Sequence, residues 1–375
     1  MGRTQDRDAG LAGGRYVGSF WHVARPTLII TYLVLGITLF GLLMVGNASV
    51  VDATRDFGDK WYYLKLQAGW ALFGLIGFFL ASKFNYHRLE KLSFPLLLVT
   101  LLLLTIVLIP GIGSKLLGAR RWLNLGFFSF QPAELAKLTL TIYFSSLLKK
   151  TKDQFWPFIS ILGICAGLIM LEPDLGTTIV LVGTGLITYF GSGGQLKRFL
   201  LLVPIVLLAG AGLIIFSPYR LDRLKTFFDY TSDPLGTSYH IRQVLLSLGS
   251  GKIFGVGLGQ SRQKYEFLPE VTTDSIFAVI GEELGLVGSL SVLLAFFVFI
   301  NLGLHTVRNA PDQFGSNLAL AITSWIGLQA FINIAAMAAL VPLTGIPLPF
   351  ISYGGSSLVL VLLASGTLVS ISRQS

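Results

Sequence analysis

The sequence holds a single cysteine, Cys165, set inside an apolar run, so it carries neither a disulfide framework nor a thiolate metal site. Its four histidines, His22, His87, His240 and His305, are scattered and show no ligand spacing. Charge is scarce as well: 13% of residues are Asp, Glu, Lys or Arg, against roughly 25% in an ordinary soluble domain. A chain so poor in charge and 53% hydrophobic cannot cover a water-facing surface. Low-complexity tracts, a convincing internal repeat and a separate soluble domain are also missing. A membrane protein is the class that remains.

What is present is a succession of apolar runs matched to a hydrocarbon core about 30 Å thick, at 1.5 Å per helical residue. They predict an all-α, polytopic membrane protein of about ten transmembrane helices, at 27–49, 61–81, 92–110, 131–149, 156–171, 177–191, 199–216, 275–303, 315–341 and 353–372. A cytoplasmic tail is expected over 1–26 and a transmembrane domain over 27–375. The first run, from Leu28 to Val45, is too long for a signal-peptide core and is expected to stay as the first span. The fifth and sixth spans are short. A large extracytoplasmic loop, 217–274, separates helices 7 and 8.

The net charge of +9 invites a nucleic-acid reading, which its placement rejects. With the N-terminus inside, the cytoplasmic segments hold fourteen Lys and Arg against five Asp and Glu, and the outer ones fourteen of each. The entire imbalance therefore faces inward, in short loops such as those of Lys83, Arg88 and Lys91, where positive charge sets topology beside anionic membrane lipids. Both termini are expected in the cytoplasm, and no nucleic-acid partner is expected.

Four segments could carry chemistry. Gly118-Ala-Arg-Arg-Trp-Leu-Asn-Leu-Gly126 precedes Gln131-Pro-Ala-Glu-Leu-Ala-Lys137. Pro132 suits the first position of a helix, so Glu134 can serve as an N3 capping residue with Lys137 as its ion-pair partner. A charge inside a span costs about 2.5–3.5 kcal/mol on the insertion scale, which a cap alone does not justify. Both readings stay open. Glu172-Pro-Asp-Leu-Gly-Thr177 is either a polar, cation-binding turn or a turn with a helix cap.

The third segment, inside the long loop, runs through Tyr239-His-Ile-Arg-Gln243 and the glycine run Gly249 to Gly259, then Ser261 to Lys264 and Leu268 to Gly285. The glycine run has no strand before it and no βαβ context, so it is not a nucleotide fingerprint. It reads instead as a flexible turn whose amides, with Lys252, Arg262 and Lys264, meet an anionic headgroup. Asp274 stands where the loop meets the eighth span, and Glu282 and Glu283 lie deeper. Locally, Asp274 is either a helix cap or a functional acid. The fourth segment, Gly345-Ile-Pro-Leu-Pro-Phe-Ile-Ser-Tyr-Gly-Gly-Ser-Ser357, cannot continue a helix and reads as the wall of a site.

These four segments, in this order, resemble the motif set of the SEDS-type peptidoglycan polymerases (FtsW, RodA, SpoVE) from the first span to the last. Gln131 to Glu134 and Pro349-Phe-Ile-Ser-Tyr-Gly-Gly-Ser-Ser357 look closer to FtsW or SpoVE than to RodA. The resemblance implies a glycosyltransferase that polymerises lipid II at the outer face of the cytoplasmic membrane and releases polyprenyl pyrophosphate. It also implies a class B penicillin-binding protein as crosslinking partner and dependence on a divalent cation, Mg or Mn. On matching positions, Asp274 is the essential acid and the expected metal ligand. Glu134 and Lys137 belong to a central cavity, and Arg121-Trp122 to an outer motif.

The sequence departs from the family pattern at Glu172, His240, Thr272 and Ser275, where Gln, Gln, His and Phe are common. The chemistry requires a base for the acceptor hydroxyl and cationic help for the leaving pyrophosphate. Asp274 is the expected base, with Arg121, Lys137 and Lys264 as candidates for the anionic carrier and Trp122, Glu134 and Glu282 as further substrate-binding candidates. A lipid II flippase using the same polar cavity is the alternative, and it predicts polar groups on both faces.

Overall fold

The computed structural model describes residues 19–374 apart from 117–118, 125, 127–128, 150–153, 216–217, 230–237 and 265–267. Most of the expected cytoplasmic tail lies outside the described residues. The chain runs through α1 (Ser19–Ala48), α2 (Val50–Phe57), α3 (Tyr62–Lys83) and α4 (His87–Leu108) to three short strands, β1 (Gly113–Leu116), β2 (Ala119–Asn124) and β3 (Ser129–Phe130). Then follow α5 (Pro132–Leu148), α6 (Phe155–Leu171), α7 (Leu175–Gly191), α8 (Leu196–Ile215), α9 (Pro218–Phe228), α10 (Tyr239–Ser250), α11 (Ile276–Asn309), α12 (Gln313–Met337) and α13 (Gly355–Gln374).

Ten of these helices, α1, α3 to α8 and α11 to α13, coincide with the ten expected spans. Among the described residues, six are long and apolar enough to cross a membrane: α1 from Pro26, α3, α4, α11, α12 and α13. The 17-residue α6 and α7 are shorter apolar helices, as their sequence indicated; each covers about 25 Å. Hydropathy could not see the rest. The stretch after α4 folds into an antiparallel sheet in the order β1-β2-β3, and the long loop contains α9 and α10. These elements pair backbone groups locally or bury few side chains, so they leave little trace in hydropathy.

Two apolar cores hold the bundle. The larger joins α1, α3, α11, α12 and α13; the smaller joins α4, α5, α6 and α7. Small residues allow the close crossings. A side chain at Gly366 of α13 would lie 2.3 Å from the Phe78 carbonyl of α3, so these helices touch backbone to backbone.

α11 is broken at Gly285, whose φ of 66° and ψ of −158° are open to glycine alone. The break frees polar backbone groups inside the bundle, and the glycine run takes them up. Leu286 and Val287 N–H donate to the carbonyls of Lys252 and Ile253 (2.9 and 3.1 Å). Val256 and Gly257 N–H donate to those of Glu282 and Glu283 (3.0 Å each). A Cβ on Gly255 would stand 2.0 Å from the Glu283 oxygen, and one on Gly251 would stand 1.9 Å from that of Gly281. The run is therefore a clasp on a broken helix. The amides of Val256 and Gly257, expected to meet an anionic headgroup, are spent on α11.

Candidate active site

Asp274 lies two residues ahead of α11, whose N-cap is Ser275. It does not cap the helix: Thr273 Oγ1 donates to its Oδ1 at 2.8 Å. Both neighbours of its peptide are anchored. Asn333 of α12 donates one amide group to the Asp274 carbonyl (2.9 Å) and to the Ile346 carbonyl (2.7 Å). Ser352 donates to the Thr273 carbonyl, and Tyr353 N–H to that of Thr272 at 2.8 Å. The carboxyl faces Gly345, where a Cβ would approach Oδ2 to 3.7 Å. Asp274 is half-buried. Burial pushes its carboxyl above the ordinary carboxylate range, against the Thr273 hydroxyl and the Arg223 guanidinium, which pull the other way.

The segment from Thr344 to Tyr353 is the expected wall. Ile346, Leu348, Phe350 and Ile351 are buried, which is the condition for irregular backbone at this depth. One helical turn from Asn333 on α12, Gln329 donates to the Pro347 carbonyl at 2.9 Å. Its own Oε1 accepts from Lys137 Nζ (2.7 Å) and Trp325 Nε1 (2.9 Å). Lys137 also meets Glu134 Oε1 at 2.7 Å and lies 5.4 Å from the Trp325 ring centre. Both charges are buried, and among the described residues Glu134 Oε2 has no hydrogen-bond partner. Gln329 and Asn333 thus connect the α5 ion pair to Asp274 through the wall. Their (i, i+4) spacing on an apolar helix is a signal the sequence did offer.

The α6–α7 turn closes the other side. Arg121 on β2 donates from Nε to the Glu172 carbonyl (3.0 Å) and from Nη2 to the Pro173 carbonyl (2.6 Å), strapping the sheet to the turn. Trp122 beside it is half-buried, and its carbonyl accepts from Ser114. Asp174 caps α7 by accepting from Thr177 N–H at 3.0 Å and also accepts from Gln131 at 3.3 Å. A Cβ on Gly176 would meet the Thr344 carbonyl at 2.7 Å, so this turn lies against the wall. Glu172 is fully buried, and among the described residues neither carboxyl oxygen has a hydrogen-bond partner. Burial, aided by the charge of Asp174 and opposed by Arg121, raises it to about 8. It is therefore mostly protonated at neutral pH, an uncharged side chain where the family commonly has Gln.

Lys264 and Glu282 belong to another cluster. Lys264 Nζ donates to Glu283 Oε1 (3.2 Å), Asn47 Oδ1 (3.0 Å) and the Gly259 carbonyl (2.7 Å), which spends all three of its donors. Glu282 accepts from Ser261 Oγ (2.5 Å) and Arg262 N–H (2.9 Å). Asn47 of α1 donates to Glu283 Oε2. These groups lock the clasp onto α1 and α11. The polar atoms of Lys264 and Glu282, both expected as substrate ligands, are buried and engaged within the protein.

Two departures from the family pattern meet in space: His240 Nε2 lies 2.8 Å from Ser275 Oγ. Burial, then Arg223, lowers the His240 imidazole to about 4, so it is neutral.

With this geometry in hand, the comparison with known proteins is decisive. The FtsW/RodA/SpoVE family model, described as cell cycle protein, matches residues 27–375. The chain belongs to the FtsW/RodA/SpoVE family. It is 40% identical over 357 residues to stage V sporulation protein E of Bacillus subtilis (strain 168), covering 93% of this chain and 98% of that one. It is 38% identical over 359 residues to "Probable peptidoglycan glycosyltransferase FtsW" of Trichlorobacter lovleyi, covering 94% of each. Among solved structures, a chain of a peptidoglycan synthase complex that coordinates polymerization and crosslinking superposes with a TM-score of 0.76 at 27% identity, over 92% of this chain and 97% of that one. The rod shape determining protein RodA of Thermus thermophilus superposes at 0.68 with 26% identity, over 96% and 98%. Membership makes this FtsW/RodA/SpoVE chain a multi-pass membrane enzyme with a glycan-polymerising role in cell-wall synthesis.

Proposed function

We propose that the protein polymerises lipid II at the outer face of the bacterial cytoplasmic membrane, with Asp274 as general base. The carrying observation is the setting of Asp274: a carboxyl raised by burial, free of any capping duty, on a stretch whose peptides are fixed by α12 and the wall. A base works best when its pKa lies near the working pH and its position is held. Asp274 takes the proton of the acceptor sugar hydroxyl as that oxygen bonds to the anomeric carbon of the growing strand. The bond from that carbon to the pyrophosphate oxygen breaks, and polyprenyl pyrophosphate leaves with the electron pair. Lys137 has one N–H left beyond Glu134 and Gln329, and Arg121 has donors left beyond the two carbonyls; both suit the departing anion.

Among the described residues no group of three His, Cys, Asp or Glu is arranged around a common point. The oxygens at Asp274 nevertheless fit a hard cation. The Thr273 hydroxyl lies 2.8 Å from both Glu270 Oε2 and Asp274 Oδ1, and its single proton can serve only one of them. Asp274, Glu270 and Thr273 would hold a Mg or Mn ion, with water completing the shell. Such an ion would neutralise pyrophosphate charge. The relative seen in a synthase complex supports a crosslinking partner, here a class B penicillin-binding protein, and the basic short loops support cytoplasmic termini.

The test is strand formation from labelled lipid II by purified protein with divalent cation present. Asp274→Asn keeps size and hydrogen bonding, so folding and lipid II binding persist while chain growth falls at least about 10²-fold. Near-normal strand formation by this variant would overturn the assignment of Asp274 as base, and absence of strand formation by the parent would favour the flippase.

A further inference from the structure

One outer feature has no part in this chemistry. From the wall, a row of aromatic rings in mutual contact runs out to the surface. Tyr353 meets Tyr63 edge to face at 5.2 Å, and Tyr63 meets Tyr62 at 5.5 Å in the same manner. Tyr62 stacks on Phe57 of α2 at 3.7 Å, with 11° between the planes. Trp61 lies next in the chain, under the Lys60 ammonium at 5.1 Å. Exposure rises along the row: Tyr353, Tyr63 and Tyr62 are half-buried, whereas Trp61 and Phe57 are 43% and 48% exposed. The inner end is pinned to the site, because Tyr353 N–H is bonded to the residue two before Asp274, and Gln67 of α3 holds the Ser352 carbonyl and Gly354 N–H.

We propose that this row is a saccharide platform that carries the pyranose rings of the glycan strand away from Asp274. The inference rests on the polymerase reading and names where its polymer lies. A pyranose offers a flat face of C–H groups with slight positive charge, which matches the negative face of an aromatic ring, and its rim of hydroxyls needs donors and acceptors at the edges. The platform supplies both: open rings, three tyrosine hydroxyls, and the charged groups of residues 52–65. Those charges balance, Asp52, Asp56 and Asp59 against Arg55, Lys60 and Lys65, and several are paired, as Arg55 with Asp56 and Lys65 with Asp59. A neutral surface of this kind has no excess charge for an anionic lipid headgroup. Interfacial tyrosines and tryptophans are common in membrane proteins, but a belt does not require rings in serial contact that end on the wall of an active site.

Two arms test the platform. Phe57 and Trp61 are largely exposed, so Phe57→Ala/Trp61→Ala should fold and form the first lipid II coupling product at a rate within twofold of the parent. Its mean strand length should fall at least threefold, and Phe57→Tyr/Trp61→Tyr should restore it. Independently of catalysis, a benzophenone side chain at position 61, in the Asp274→Asn background in nanodiscs, should capture a fluorescent soluble peptidoglycan oligosaccharide. Unchanged strand length in the double alanine variant, or capture of phospholipid alone, would overturn the platform and leave the polymerase reading standing. Failure of the parent to form strands would overturn the polymerase reading, and the oligosaccharide arm would still decide whether this surface binds sugar.

Discussion

The most discriminating experiment concerns Lys264, whose charge the sequence offered to the substrate and the structure gives to Glu283. Glu283 is fully buried and Lys264 is 5% exposed, so removing either partner strands a charge inside the bundle. Breaking a buried pair from one side costs about 3–5 kcal/mol. Lys264→Met leaves Glu283 with only the Asn47 amide and Ser261 N–H. Glu283→Gln leaves the ammonium with the Asn47 and Gly259 oxygens. In Lys264→Met/Glu283→Gln no unpaired charge remains, and the loss reduces to that of ordinary hydrogen bonds, about 1–2 kcal/mol. The double variant should therefore be more stable than either single one, with non-additivity of at least about 4 kcal/mol, above the roughly 0.5–3 kcal/mol of ordinary contacts because each single change strands a charge. Reversible unfolding of the purified variants in mixed micelles measures this, with strand formation assayed in parallel. Should Lys264→Met keep its stability within about 0.5 kcal/mol, the size of an ordinary surface change, and yet lose polymerisation that Glu283→Gln fails to restore, the clasp reading is wrong and Lys264 serves the substrate.

The α5 pair and the base give two further expectations. Lys137→Met removes the cation that joins Glu134 to Gln329, and Glu134→Gln removes its counter-charge. Each strands a buried charge as in the Lys264 pair, so strand formation should fall sharply in each and stay low in Glu134→Gln/Lys137→Met, which strands none; near-parental activity of that double variant would make the pair structural. Because Asp274 must be ionised to act, polymerisation should fall as pH drops through its raised range; Thr273→Val removes the hydroxyl that holds the carboxylate down, so the acid limb of the rate profile should move to higher pH, and an unmoved limb would separate that limb from Asp274.

Hydropathy was enough to place the ten helices expected as spans, since a helix in a hydrocarbon core must be apolar along its length. Chain chemistry also marked Glu134, Lys137 and the segment from Gly345, because charges and helix breakers are costly at those depths, whereas Asp274, open between cap and acid on local grounds, and Arg121 took their roles from the family resemblance. What each polar group is for was decided only by tertiary structure. Arg121 reads as an anion ligand in one dimension, and only in three is it also a strap on Glu172 and Pro173. The glycine run Gly249–Gly259 resembles an anion cradle until Gly285 is seen to break α11 and require its backbone. Gln329 and Asn333, unremarked in an apolar run, become the link between Lys137 and Asp274. The physical reason is common to all of them. Local sequence fixes where a polar group sits along its own helix, but its role depends on which donor or acceptor from a distant segment reaches it first, and those distances exist only once the bundle has closed.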